Sequence, residues 1–294
     1  NWENLTANLK GLPPHGTVRN IDASKYKAGK AYLTVDFHQV GNFDTHVYKT
    51  EDFGKTWVKI TNGVPKSNVS YACNVREDPV RPGLLYLGTE SALYVSFDDG
   101  ANWQSMMSNL PPSPMYWINI QENFNDMVIG TYGRGIWILD DISPYQQLTA
   151  EVAASAAHFF VPNKTYRLHP ITAQYAPSDD PSVGVNPQYG APLNYWLSAD
   201  AKDSAVFEIR DASKNLVRTI KHKGKTGINR VYWDLREDPS DAFYVRTKPL
   251  FADWVNMGDS RKRLAPSLGR GITPLVRPGD YTITLTVTNP NGVD

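Results

Sequence analysis

The chain has 294 residues, 41% hydrophobic and 12% aromatic, enough to bury a large core and to form two domains. Thirty basic residues balance thirty acidic ones, at a sequence pI near 7.2, so no global field favours nucleic acid or an anionic membrane. No apolar run approaches the roughly 18 residues that cross a bilayer, and the first residues carry no signal-peptide pattern; the one cysteine, Cys73, excludes an intrachain disulfide and reads as a buried small hydrophobe in VSYACNV.

In chain order, residues 1–148 read as short strands separated by Gly, Pro, Asn and Asp, the spacing of an all-β repeat. First strands are predicted at Thr17–Asp22, Val69–Val75 and Met115–Gln121, and second strands at Ala31–Asp36, Leu84–Thr89 and Asp126–Thr131. Third strands follow at His46–Thr50, Ala92–Phe97 and Gly135–Leu139. Fourth strands carry a Trp at Thr56–Ile60 and Asn102–Met107, with an orphan around Trp2–Leu5. Third and fourth strands are joined by one pattern used twice: Thr50-x-Asp52-x-Gly54-x-x-Trp57 and, 46 residues later, Ser96-x-Asp98-x-Gly100-x-x-Trp103. A tight turn of this kind needs a carboxylate to cap backbone N–H groups, a Gly free to take positive φ and an anchor, so these eight residues read as structural. Trailers after each Trp agree as well, and Trp2-x-x-Leu5-x-x-Asn8-Leu9 reproduces them without the preceding turn. Repetition at this period signals a β-propeller, here about three blades of an incomplete ring. The expectation is that another polypeptide or an N-terminal part completes it.

From residue 149 the texture changes. TAEVAASAAHFF is Ala-rich and suits a short helix, and the Pro-rich stretch to residue 191 reads as a linker packed on the propeller. Alternating strands resume over 192–294 in LNYWLS, AVFEIRD, LVRTIK, NRVYWDLR and DYTITLTVTN, the pattern of an immunoglobulin-like sandwich, interrupted by an irregular insertion at 238–276.

The repeated turn resembles the Asp-box of sialidases, sortilin and xyloglucan-cleaving hydrolases. LLYLGTESALYVSFDDGANW, GRGIWILDDISP and INRVYWDLR with RPGDYTITLTV extend the resemblance to the C-terminal half of bacterial sortilin-like, Asp-box repeat proteins, often labelled glycosyl hydrolases. The resemblance implies an Asp-box propeller followed by an Ig/FlgD-like sandwich, in a protein exported to the periplasm, cell envelope or medium. The paired-cysteine module that follows the propeller in animal sortilins is absent from the sequence.

Propeller topology puts the Asp-box turns on one face and the loops between second and third strands on the other, where ligand sites gather. That face receives His15, Asp36, His38, Asp44, His46, Glu90, Tyr132 and Arg134. Asp36, His38, Asp44 and His46 suit a divalent cation, since Asp36 and His38 project to one side of an extended chain. His15, His38, His46, Tyr132 and Arg134 suit a protein or carbohydrate ligand; Arg134, between two glycines, can clamp a carboxylate or pair with Asp140 or Asp141. Asp36, Asp44 and Glu90 are the acids a glycoside hydrolase would need. Plain turn capping and surface hydrogen bonding explain the same residues. The leading expectation is a non-catalytic binding or scaffolding propeller, without a required cofactor; the alternatives are a glycoside hydrolase and a structural subunit of a larger assembly.

Overall fold

The computed structural model describes residues 3–168, 187–239, 250–251, 254, 273–289 and 292–293. The chain is all-β in character and divides into two compact units, residues 1–146 and 147–294. Among the described residues no helix is long and apolar enough to cross a membrane.

The first unit holds three consecutive antiparallel sheets. Blade one is β1 (Thr17–Ala23), β2 (Ala31–Asp36), β3 (Val47–Thr50) and β4 (Val58–Lys59). Blade two is β5 (Ala72–Glu77), β6 (Leu85–Thr89), β7 (Leu93–Ser96) and β8 (Gln104–Ser105). Blade three is β9 (Met115–Gln121), β10 (Asp126–Thr131) and β11 (Ile136–Leu139), and among the described residues no fourth strand pairs with β11. Each complete sheet is a four-stranded meander in sequence order, the arrangement of a propeller blade.

The two repeated turns are built alike. Asp52 accepts from the Thr56 N–H at 2.9 Å and the Thr56 hydroxyl at 2.7 Å, while the Gly54 N–H donates to Thr50 Oγ1 at 2.9 Å. Asp98 accepts from the Asn102 N–H and side-chain amide at 2.8 and 2.6 Å, and the Gly100 N–H donates to Ser96 Oγ at 2.9 Å. Both glycines have positive φ, 79° and 85°. These turns draw Thr56 and Asn102 out of the ladder, which shortens the fourth strands to two residues each instead of the five or six expected. Trp103 is 3% exposed and donates from Nε1 to the Ile60 carbonyl at 2.9 Å. Blade two also begins at Ala72 rather than Val69, because Ser67 and Ser70 close a turn through their hydroxyls at 2.7 Å. Trp2 lies outside the described residues; Glu3–Leu5 form no strand, and a 3-10 turn follows at Thr6–Asn8. Even so, Leu5 sits on Gly54 as Ile60, its counterpart after Trp57, sits on Gly100.

Apolar side chains from neighbouring sheets interlock between the blades. Tyr32, Val47, Leu85, Leu87 and Trp103 share one core between blades one and two, and Tyr86, Leu93, Val95, Met115, Ile118 and Ile129 another between blades two and three. Gly88 allows close approach there, since a Cβ would run into the Met115 carbonyl. The first strands are laced by polar bonds. Asn20 accepts from the Val75 N–H at 3.1 Å, Asp22 accepts from Arg76 at 2.5 Å and from the Glu77 N–H at 2.8 Å, and Arg76 donates to the Ile118 carbonyl at 3.1 Å.

The first unit ends in α1 (Ser143–Gln147), and the second opens with α2 (Ala150–Ala154), capped by Thr149 Oγ1 accepting from the Val152 N–H at 3.2 Å. Its strands are β12 (Ala157–Phe159), β13 (Ala191–Leu197), β14 (Ala205–Arg210), β15 (Leu216–His222), β16 (Gly227–Trp233) and β17 (Thr282–Thr286), in two sheets ordered β12-β13-β16 and β15-β14-β17. One core joins them: Leu193, Tyr195, Phe207, Ile209 and Trp233 pack together, with the Tyr195 and Phe207 rings 5.3 Å apart. Residues 157–159, expected in the linker, are instead a strand of this unit, paired to β13 and held by Phe159 edge-on to Phe207 at 5.6 Å. Most of the Pro-rich stretch and of the 238–276 insertion lies outside the described residues.

Candidate functional site

Each first strand carries one extra residue against its second strand: Arg19 in β1, Cys73 in β5 and Tyr116 in β9. A bulge of this kind re-aims a side chain and commonly borders a site. The three are equivalent positions on successive blades. They meet in space, for the Arg19 guanidinium lies 5.6 Å from the centre of the Tyr116 ring.

Asp36, closing β2, is 4% exposed. It accepts from Arg19 at 2.9 and 2.8 Å and from the His38 N–H at 2.9 Å, and its Oδ2 lies 2.6 Å from His38 Nδ1. Burial opposes its charge, but the His38 N–H, the His38 ring and Arg19 outweigh burial and hold the carboxyl below its usual range. His38 stacks on Tyr71 at 4.8 Å and 17°, and Phe43 flanks Tyr71 at 6.3 Å. Burial, then a hydrogen bond to Glu90, push the Tyr71 phenol up, and the second oxygen of Glu90 is buried without a partner. Tyr132, 71% exposed, lies 5.6 Å from Tyr116. Three blades thus contribute to one shelf: Arg19, Asp36, His38 and Phe43 from the first, Tyr71 and Glu90 from the second, Tyr116 and Tyr132 from the third.

The structure leaves other predicted residues apart. His46 is 5% exposed, wedged between Phe37 at 4.8 Å and Tyr48 at 6.3 Å, and burial lowers its pKa to about 4. Asp44, His15 and Arg134 are exposed, and His15 has a left-handed backbone, φ 65°. Among the described residues no three His, Cys, Asp or Glu side chains converge as a metal requires. The cation expected at Asp36, His38, Asp44 and His46 therefore meets a carboxylate already neutralised by Arg19 and an imidazole turned into the core. Burial pushes the Cys73 thiol up to about 12, which removes it as a nucleophile. Arg19, Tyr71 and Tyr116 escaped the sequence reading; Arg19 lies 31 residues before Thr50 and Cys73 only 23 before Ser96, so the repeat spacing does not bring the bulge positions into one column.

No family model matches the chain, and no curated protein does. Among solved structures, an ancestral GH74 enzyme shares 18% identity over 40% of this chain and 14% of its own, with a TM-score of 0.33. The GH74 xyloglucanase from Xanthomonas campestris shares 19% over 44% and 21%, with a TM-score of 0.34. YCF48 bound to D1 peptide shares 13% over 70% and 53%, with a TM-score of 0.31. The chain thus spans less than a quarter of the two enzymes. The blade architecture rests on the sheet order and register given above.

Proposed function

We propose that the chain is a non-catalytic binding module: an Asp-box propeller segment whose ligand rests on the shelf of Arg19, His38, Phe43, Tyr116 and Tyr132. The observation that carries this reading is the state of Asp36. A glycoside hydrolase needs two carboxyl groups open to the scissile bond, one as acid and one as base or nucleophile. Both oxygens of Asp36 are engaged by Arg19 and His38, which leaves it free for neither part. What remains open to solvent is aromatic and cationic, with Phe43 37%, Tyr116 36% and Tyr132 71% exposed. Flat rings beside a guanidinium suit a sugar face or a peptide, and such residues dominate binding energy where they cluster. The sortilin-like resemblance supports an exported location, further blades completing the ring and an immunoglobulin-like second unit.

One observation favours the hydrolase reading. Glu90 Oε2 is shut away from water without a hydrogen-bond partner, beside the shelf where a substrate would lie. Soluble xyloglucan tests both readings, with reducing ends measured for turnover and affinity electrophoresis for binding. Retardation that Tyr132→Ala and Tyr116→Ala each weaken by about tenfold, without reducing ends, is the expected result. Turnover abolished by Glu90→Gln would replace binding with hydrolysis.

A further inference from the structure

In the second unit, alternation along the β15-β14-β17 sheet gathers one sign of charge at one end. β14 buries Ala205, Phe207 and Ile209, so Val206 and Glu208 face outward, and the register sets Lys221 and Thr286 beside Val206 on that outward face. Beyond the strand ends the same alternation carries Ser204, Lys223 and Thr288 to this side. Together with Lys202 and Asp203, from the loop before β14, they line a basin of about 430 Å³.

The cations of this basin differ from their neighbours in lacking counterions. At the far end of the same face Arg210 pairs with Glu208 at 2.8 Å, and just past Lys223 the Lys225 ammonium pairs with Asp200 at 2.9 Å. Among the described residues Lys202, Lys221 and Lys223 make no ion pair, and Asp203, which lines the same basin, is held by none of them. The Ser204 and Thr288 hydroxyls are equally unengaged. Three lysines against one aspartate leave two positive charges in excess around one hollow, a repulsion that a bound anion relieves.

We infer that this basin is a binding site for a phosphate monoester carried on a sugar-sized ligand. A phosphate monoester bears a charge of about −1.5 to −2 at neutral pH, which matches the excess. Lysine holds phosphate as a point charge, so three ammonium groups around the hollow need no fixed fork geometry. The volume exceeds what phosphate alone fills and leaves Ser204 and Thr288 to meet hydroxyl groups of the ligand body. The site belongs wholly to the second unit and does not depend on the shelf.

Isothermal titration calorimetry of the full chain with glucose 6-phosphate tests the assignment. One molecule should bind per chain, more weakly as salt rises. Glucose should give no saturable heat, and glucuronate, with a single charge, should bind about fivefold less tightly. Lys221→Gln and Lys223→Gln should each weaken binding about fivefold, the worth of one ammonium contact in water. Lys225→Gln removes the same charge from an ammonium already held by Asp200 and should leave binding unchanged. All three side chains are exposed, so circular dichroism of the variants should match wild type. Glucose 6-phosphate that binds no better than glucose, glucuronate that binds as tightly, or a Lys225→Gln chain that loses as much as Lys221→Gln would each overturn the proposal, the last by showing attraction to overall charge alone.

Discussion

His46 shows how one side chain can be read as chemistry and serve as structure. Its ring fills space between Phe37 and Tyr48, and its Nε2 has no hydrogen-bond partner. Burial, then the nearby charge of Lys59, set the folded pKa at about 4, against 6.5 for a free imidazole. A depressed pKa means that the unfolded chain binds the proton first. The stability held by neutral His46 is therefore complete above pH 6.5 and is lost as pH falls towards 4, by at most about 1.4 kcal/mol per pH unit. Urea midpoints at pH 7 and pH 5 should fall for wild type and fall much less for His46→Leu; equal losses would remove His46 as the cause. Alternation alone could not place this residue, because the loop before β3 folds back beneath Phe37, a contact between segments that no local pattern encodes.

At the scale of elements, the repeated turn was the most legible part, since its residue types follow from local hydrogen bonding. Asp98 lies at the centre of one turn, taking the Asn102 N–H at 2.8 Å and the Ser96 hydroxyl at 2.8 Å. Asp98→Ala should leave those donors unsatisfied and cost about 1–3 kcal/mol by urea unfolding, with Asp98→Asn retaining part of it. Asp52, whose pKa is lowered to about 2 chiefly by the Thr56 N–H, adds a pH test. Its contribution is present above pH 3.8 and disappears as pH drops through 2, so Asp52→Asn should flatten the acid limb of unfolding in that window. Strand positions were legible in Ala31–Asp36, buried on both faces, and in Asp126–Thr131, where burial alternates; both match their predicted limits. The bulges at Arg19, Cys73 and Tyr116 were not, because an unpaired residue is visible only once its partner strand is in register. The shelf they build stayed hidden for the same reason, and only Asp36, His38, Glu90 and Tyr132 were anticipated on it.

At the scale of the molecule, the cores of the two units share no residue. Calorimetry should accordingly resolve two transitions, and Phe207→Ala, which empties a fully buried aromatic site, should lower one by about 3–5 kcal/mol and leave the other in place. A single transition shifted as a whole would show the units to unfold together. The compact units divide at 146/147, near the change in texture at residue 149, whereas the pairing of residues 157–159 with β13 depended on a contact with Phe207 far along the chain. The contrast between inner and outer strands also has a mechanical consequence. Polar bonds from Asn20, Asp22 and Arg76 stitch neighbouring first strands sideways, while β4 and β8 hold on through two residues apiece. Under tension such a blade yields from the rim inward, one short strand at a time, and the wall around the axis is the last part to tear.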